Sequence, residues 1–419
     1  MPLTEKTPAP VLTCPVGRDG STLLQSAVKL TPPDTPYSTC ANTVSFTTIE
    51  RLRNWGGIRS TSLHPPRQAR SMTEVSISRS LLRLARAGVN VVKRQPAMSQ
   101  PALSIAAQQA LRCPVCKSRI EYVDEHYRCT NSRCGRAFPR ANGIPVLINE
   151  ESSVFSLADL IHQRSTTYNP GLRRKVIEMV DRLLPDFTVN LASERNYDEF
   201  AKLLLSSART PVVLVIGGSI LGKGMRALSA YPAIELVESD VTFGARTAVI
   251  CDAHDLPFGP DSFDGVITQA VLEHVVDPYR AVDEIHRVLK VGGFVYAEVP
   301  FMQQVHGGAY DFTRFTHLGL RRLFRKFEEV ASGVANGPGT ALAWSLTYFL
   351  LSFTDAKLPR ALIHRFSRLA VSPIKYFDYC FDGKAGALDA ASGYYFLGQK
   401  GSQVLPDQEL VKLYKGWLQ

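Results

Sequence analysis

The chain has 419 residues, of which 45% are hydrophobic and 21% charged, with a formal net charge of +10 at neutral pH. That length accommodates two or three domains, and the apolar fraction is ample for a large core, so neither a wholly disordered chain nor a small disulfide scaffold fits. The charge is unevenly placed: residues 1–100 hold thirteen Lys and Arg against five Asp and Glu, so eight of the ten net positive charges lie there. The remainder is nearly neutral, which argues against nucleic acid as a partner bound along a broad electrostatic groove.

The first hundred residues are rich in Pro, Ser, Thr and Arg and show little periodicity before Ser76; disorder is expected there. The stretch from Ser78 to Val92 could form a short basic amphipathic helix. It reads as a membrane or partner-binding arm, as a targeting sequence, or as upstream sequence ahead of a true start at Met72 or Met98, and the last reading is preferred. No apolar core and cleavage pattern of a secretory signal accompanies it, so a cytoplasmic protein is expected.

Next comes RCPVCKSRIEYVDEHYRCTNSRCGRAFPRANGIPVLI. Cys113 and Cys116 form a CxxC pair, twelve residues separate Cys116 from Cys129, and four more separate Cys129 from Cys134. Four thiolates in two close pairs can close a tetrahedron around zinc. Two disulfides are the alternative, but Cys14, Cys40, Cys251 and Cys380 are scattered and nothing else suggests an oxidised scaffold. A full set of four cysteines leaves no open coordination position, so a structural zinc is expected over residues 108–150. Ile120, Tyr122 and Tyr127 mark the intervening hairpin, with His126 solvated on it.

Leu172–Leu184 and Tyr197–Leu205 have helical spacing, interrupted at Pro185, and suggest a helical cap over 155–209. Val212 to Ile216 are an apolar run ended by Gly217, Gly218 and Ser219, with Gly222 following. Such a run is a buried parallel strand turning sharply where the backbone must approach a ligand. A second strand, 233–237, ends near Glu238 and Asp240. In a doubly wound fold a carboxylate there holds a ribose hydroxyl pair, because an ionised acid can accept two hydrogen bonds at once. A third strand, 248–251, ends at Asp252 and Ala253, where the acid can accept from an exocyclic amine. SFDG introduces a fourth strand, and Gln269 to Val275 are expected to open the next helix. Val282, Ile285, Val288 and Leu289 keep helical spacing up to Gly292 and Gly293, and Phe294 to Val299 form a fifth strand.

Beyond that strand lies FMQQVHGGAYDFTRFTHLGL, at the carboxyl end where open α/β sheets bind ligands. His306 is the candidate general base, with Tyr310, Asp311 and Arg314 as candidates to orient it or a polar substrate. The alternative makes Asp311 a helix cap and Arg314 its structural ion-pair partner. His274, within VLEHV, reads as structural. A sixth strand near 328–333 and a last one at 394–399 flank an insertion of about 340–390. The insertion contains AWSLTYFLLSF, too short to span a bilayer. It reads either as a buried helix over the substrate pocket or as an interfacial segment making peripheral membrane contact.

In this order, GGSILG, Glu238, CDAHDLPF, SFDGVI, VLEHV and RVLKVGGFVYAEVPF resemble a class I S-adenosylmethionine-dependent methyltransferase of the type 11 kind over roughly residues 190–400. The resemblance implies an α/β, Rossmann-like doubly wound sheet of seven strands, the last antiparallel. It places the Gly217–Gly222 turn at the methionine part of S-adenosylmethionine, Glu238 at the ribose, Asp252 with Ala253 at the adenine, and Gln269 beside the cofactor. The family's acid two residues before the first glycine is Val215 here. FPRANGIPVLI makes the cysteine segment similar to the zinc ribbon typified by the small activator subunit of tRNA and protein methyltransferases, a possible protein-partner surface. The resulting expectation is a zinc ribbon, a helical cap, a methyltransferase domain over 210–400 and a tail over 401–419. It would transfer methyl to a small or lipid-linked metabolite, such as a saccharide or natural-product intermediate. One alternative is an RNA methyltransferase, since a ribbon before this fold also resembles the bacterial large-subunit rRNA guanine methyltransferases, although QAVLEHV stands where an Asn-Pro-Pro-Tyr type motif would be. The other is a non-catalytic partner-binding subunit.

Overall fold

The computed structural model describes residues 103–161 and 184–418. The basic arm, the helix expected near Ser78–Val92 and nearly all of Leu172–Leu184 lie outside the described residues.

Apolar runs bounded by turn residues become the central strands, as their β-branched content favours. These are β5 (Val212–Ile216), β6 (Glu235–Asp240), β7 (Val249–Cys251), β8 (Phe263–Gln269) and β9 (Leu289–Pro300). They are mutually parallel in the order β7-β6-β5-β8-β9. The sheet is completed by β11 (Gly393–Lys400), antiparallel to both β9 and β10 (Phe327–Asn336). The antiparallel last strand is therefore as expected, but the strand count is not. Four further strands, β1 (Ile120–Val123), β2 (His126–Cys129), β3 (Ala137–Ala141) and β4 (Ile144–Leu147), extend the same sheet to eleven. Val146 and Leu147 pair in parallel with Ile250 and Cys251. An all-apolar β4 cannot stand alone as the rim of a small ribbon, and pairing with β7 satisfies its backbone and buries all four of its side chains.

Alternation along the strands divides the core into two layers. Leu214, Val266 and Val295 face Val282 and Ile285 of α2 (Pro278–Val288). Val213, Val215, Ile267 and Tyr296 face Tyr197, Phe200 and Leu204 of α1 (Ser193–Ser207). Both helices carry their apolar residues at helical spacing, so each buries one stripe against one sheet face. Cys113, Phe138 and Leu147 belong to the same layer as Phe258 and Phe263. The cysteine segment thus shares its core with the sheet.

Two boundaries differ from expectation. Residues 270–277 are turns, with Ala270 at φ 56°, and α2 starts only at Pro278, where the Asp277 side chain accepts from the Arg280 N–H. Pro is favoured at this first position because it needs no amide partner. At the other end, α2 stops at Val288, and Gly292 and Gly293 lie inside β9. The strand takes over early because Leu289 pairs with Phe263. The insertion is helical, containing α3 (Pro338–Leu351) and α4 (Lys357–Ala370).

Candidate cofactor and acceptor site

Strand order reverses around β5, so a crevice opens at the carboxyl ends of β5, β6, β7 and β8. It holds a cavity of about 310 Å³ whose lining includes Gly217, Ser219, Asp240, Asp252, Ala253 and His274. Gly217 has φ +79°, and a Cβ there would come within 2.4 Å of Val271 Cγ2 on the cavity wall. The first glycine of the turn is thus required by conformation and by space.

Asp240 is the acid that the β6 end presents to the cavity. Its Oδ2 accepts from the Ser219 amide at 3.0 Å, and its Oδ1 from the amide and hydroxyl of Thr242 at 2.8 and 2.9 Å. A carboxylate offers about four acceptor sites, so one remains. Glu238 points elsewhere: it is ion-paired with Arg246, 2.7 Å from its Nε, and packs behind Gly218. Burial pushes the Glu238 carboxyl up and the guanidinium only partly opposes this. The Asp240-x-Thr242 spacing, typical of an Asx turn, was the local sign that this acid, one pleat beyond Glu238, closes the strand.

Asp252 also lines the cavity. Its Oδ1 accepts from the His254 amide at 3.0 Å and from the His254 ring at 2.6 Å, and its Oδ2 accepts from the Ser153 hydroxyl at 2.5 Å. Burial alone would raise this carboxyl, but the His254 and Ser153 hydrogen bonds hold it below the ordinary aspartate value. With Nδ1 donating to Asp252, His254 Nε2 accepts from the Asp277 amide at 3.0 Å. The turn entering α2 is thereby tied to the cavity floor. Ala253 is part of the same lining, beside Val241 and Val275. Gln269, Gly218 and Gly222 lie outside it. The Gln269 amide nitrogen donates to Lys223 O and Glu298 Oε2, its oxygen accepts from Tyr197, and Gly222 sits directly against it. Val215 packs in the layer with Tyr197 and Phe200, away from the cavity.

The segment after the cysteines also reaches the site. Phe155 lines the cavity and stacks on Tyr310 with ring centroids 5.5 Å apart. No periodicity in the sequence pointed to Ser153 or Phe155.

At one edge of the cavity two loops meet. Gly307 of the second loop contacts the first, and a Cβ there would lie 2.5 Å from His274 Cε1. Glu273 is 1% exposed, and both His274 Nε2 and His306 Nε2 stand 3.8 Å from its Oε1. Glu273 Oε2 is buried without a hydrogen-bond partner. Burial pushes the Glu273 carboxyl up to about 8. His274, expected to be structural, lines the cavity, with its Nδ1 2.7 Å from Tyr310 O. Asp311 and Arg314 do not line the cavity; they clamp the loop that carries His306. Asp311 Oδ2 accepts from the His306 and Gly307 amides at 2.8 and 3.1 Å, and Arg314 pairs with Asp311 while donating to Gln303 O and Gln304 O. Burial works against ionisation of Asp311, yet Arg314 and the two amides hold its carboxyl well below the aspartate range.

Away from the crevice, the four cysteines converge. Cys113 Sγ lies 3.8 Å from Cys134 Sγ, and Cys116 Sγ 3.4 Å from Cys129 Sγ, with all four sulfurs within 4.8 Å of one another. Tetrahedral zinc–thiolate bonds of about 2.3 Å separate sulfurs by about 3.8 Å. The set therefore fits a zinc ion. The sulfurs are not bonded, so the disulfide alternative is not what the fold adopts.

Residues 226–297 match the Methyltransf_11 family, described as a methyltransferase domain. This agrees with the methyltransferase resemblance read from the motifs, and the matched span holds Asp240, Asp252, Glu273 and His274 but neither the glycine turn nor His306. Among curated proteins, a demethylmenaquinone methyltransferase of Clavibacter sepedonicus is 36% identical over 90 residues, 22% of this chain and 32% of that protein. The chloroplastic 2-methyl-6-phytyl-1,4-hydroquinone methyltransferase 1 of Oryza sativa subsp. japonica is 35% identical over 60 residues, 14% of this chain and 18% of that protein. The chain thus spans a third or less of the length of these relatives. Among solved structures, Haemonchus contortus phosphoethanolamine N-methyltransferase 2 in complex with S-adenosyl-L-methionine aligns at 17% identity and a TM-score of 0.31, over 49% of this chain and 53% of that one.

Proposed function

We propose that the protein is an S-adenosylmethionine-dependent methyltransferase acting on a small, amphiphilic or lipid-linked acceptor, with a structural zinc held by Cys113, Cys116, Cys129 and Cys134. The observation that carries the reading is the cavity at the strand ends, with two acids that each keep an acceptor site and a histidine pair beside a buried glutamate at its edge. Its volume is in the range of small-molecule sites. Asp240 accepts from a ribose hydroxyl and Asp252 from the adenine amine, with Val241, Ala253 and Val275 packing on the base. The Gly217–Ser219 turn approaches the methionine part, and Val215 leaves the amino group to other partners.

S-adenosylmethionine supplies an electrophilic methyl on a sulfonium, which is displaced in line by the acceptor. The chain's task is to align that acceptor and remove its proton. The second requirement falls to the corner of Glu273, His274 and His306, where the Nδ1–H of each imidazole is directed at a backbone carbonyl, leaving each Nε2 as a base. Asp311 and Arg314 act as positioning residues for that corner.

The insertion supports an amphiphilic acceptor. Gln304 Nε2 donates to the Ser345 hydroxyl at 3.1 Å and the Tyr348 hydroxyl donates to Val305 O at 3.0 Å, joining α3 to the loop of His306. On α4, Leu358, Leu362, Phe366 and Leu369 are more than half exposed at helical spacing, and the helix carries Lys and Arg but no acid. An apolar stripe among cations suits an anionic lipid surface. Among the described residues no helix is long and apolar enough to cross a membrane. The two curated relatives are named for quinone and prenyl-hydroquinone substrates, which are of this amphiphilic kind.

The test is calorimetric titration of S-adenosylmethionine into the zinc-loaded full chain. Binding with Kd on the order of micromolar, about −8 kcal/mol, is expected. Asp240→Asn should weaken it by roughly tenfold, the worth of one charge-assisted hydrogen bond. Absence of binding to folded protein would overturn the reading.

A further inference from the structure

The corner at the cavity edge has an arrangement that proton transfer alone does not explain. His274 Nδ1 lies 2.7 Å from Tyr310 O and His306 Nδ1 lies 3.2 Å from Gln304 O. A carbonyl only accepts, so both Nδ1 atoms carry the proton and both Nε2 atoms present lone pairs. Both Nε2 atoms stand 3.8 Å from the same carboxyl oxygen, Glu273 Oε1. That is too long for a hydrogen bond and leaves three potential ligand atoms grouped within 4.8 Å of one another. The second oxygen of Glu273 is buried with no partner, and the side chain is 1% exposed. An unpartnered buried carboxyl oxygen is costly, and a cation at that centre would satisfy it together with both imidazoles.

Spacing and support fit an ion. Ligand atoms bound at 2.0–2.2 Å to one ion stand about 3–4 Å apart, and the three ligand atoms here all lie within 4.8 Å of one another. Each ring is held by a carbonyl on its far nitrogen, the outer support that metal-binding histidines usually have. The loops are fixed as well: Asp311 and Arg314 pin the loop of His306, and the absence of a side chain at Gly307 lets it come against His274.

We propose that Glu273, His274 and His306 form a divalent transition-metal site of the two-histidine, one-carboxylate kind at the cavity edge, with open positions that take an oxygen of the methyl acceptor. Such a ligand set, nitrogen-rich with a single carboxylate, suits zinc or ferrous iron over magnesium or calcium. With the ion bound the two Nε2 atoms serve as ligands in place of bases: the acceptor binds as its oxyanion, its proton passing to solvent, and the ion lowers the cost of that ionisation. The metal site stands on its own geometry; only the acceptor part rests on the methyltransferase reading.

The experiment strips the full chain of metal, reloads it with cobalt(II) or zinc, and measures bound metal and the visible spectrum. Two equivalents are expected. One gives the intense thiolate charge-transfer of the four-cysteine site, and the other gives only weak ligand-field bands without it. His306→Ala, on a partly exposed loop, and Glu273→Gln should each lose the second equivalent and its bands while keeping the first. His306→Asp, which restores a ligand, should regain it in part. Wild-type protein holding only the cysteine-bound metal would overturn the proposal, as would two equivalents retained in both His306→Ala and Glu273→Gln. Titration of S-adenosylmethionine into the same samples separates the readings: metal without cofactor binding leaves the site and removes its methyltransferase role, whereas cofactor without the second metal removes this inference alone.

Discussion

Substitution of the first glycine of the cavity turn separates conformational from steric cost. Gly217→Ala places a Cβ on a residue at φ +79° and within 2.4 Å of Val271 Cγ2. The left-handed conformation costs an L-residue about 1–2 kcal/mol. Forcing an extra methyl into a packed wall costs about 1–3 kcal/mol more. Restricting the unfolded chain offsets about 0.4–1 kcal/mol, so a net destabilisation of roughly 1–4.5 kcal/mol is expected. Gly383 isolates the first contribution, because its φ is +74° and nothing lies within 4 Å of a Cβ there. Gly383→Ala should cost about 0–1.5 kcal/mol. Gly218 isolates the second: its φ is not in the left-handed range, and a Cβ would meet Glu238 Cβ at 2.9 Å. Gly218→Ala should fall between the other two. Urea unfolding followed by intrinsic fluorescence reads the three midpoints at a common slope. Only Gly217→Ala should also abolish S-adenosylmethionine binding, because Val271 is part of the cavity wall. A Gly217→Ala variant no more destabilised than Gly383→Ala would rule out the steric contribution of Val271.

The four-cysteine segment and the sheet should melt together, because Cys113, Phe138 and Leu147 share a core layer with Phe258 and Phe263. Cys116→Ser should lose the structural zinc and lower the melting temperature of the whole chain in one transition; at free zinc a hundredfold above Kd the lost stabilisation is about 2.7 kcal/mol. A zinc-free variant that melts like wild type counts against a structural metal there. Asp252, held below the ordinary aspartate value although buried, contributes stability that is present above the unfolded pKa near about 4 and lost as pH falls through its lower folded value. Asp252→Asn should therefore be less stable at neutral pH and show a shallower decline in acid, and an unchanged acid limb in urea unfolding would contradict the assignment.

Much of the fold was legible because local pattern and packing agree. The run Val212–Ile216 is apolar throughout and is buried on both sheet faces, so it reads as a central strand and is one. The cysteine spacing likewise anticipated the convergence of four sulfurs. Where tertiary pairing competes with local signal, the reading failed: Gly292 and Gly293 look like a helix stop but lie within β9, because Leu289 already pairs with Phe263. Leu147 reads as the end of a separate ribbon, but its pairing with Cys251 makes strands β1 to β4 the outer part of the main sheet.

Local pattern along the chain supplies the chemistry available: a glycine turn after a buried strand, acids at strand ends, four thiols in two pairs, and histidines after β8 and β9. It does so because periodicity and spacing are local properties. Which of these groups meet depends on the packing of the whole fold. Arg246 takes Glu238 away from the cavity and leaves Asp240 to face it. Two loops separated by a whole helix and strand bring His306 and His274 to the same oxygen of Glu273. Distances of a few ångströms between residues thirty apart in the chain follow from strand register and loop anchoring, and neither is encoded in any single segment.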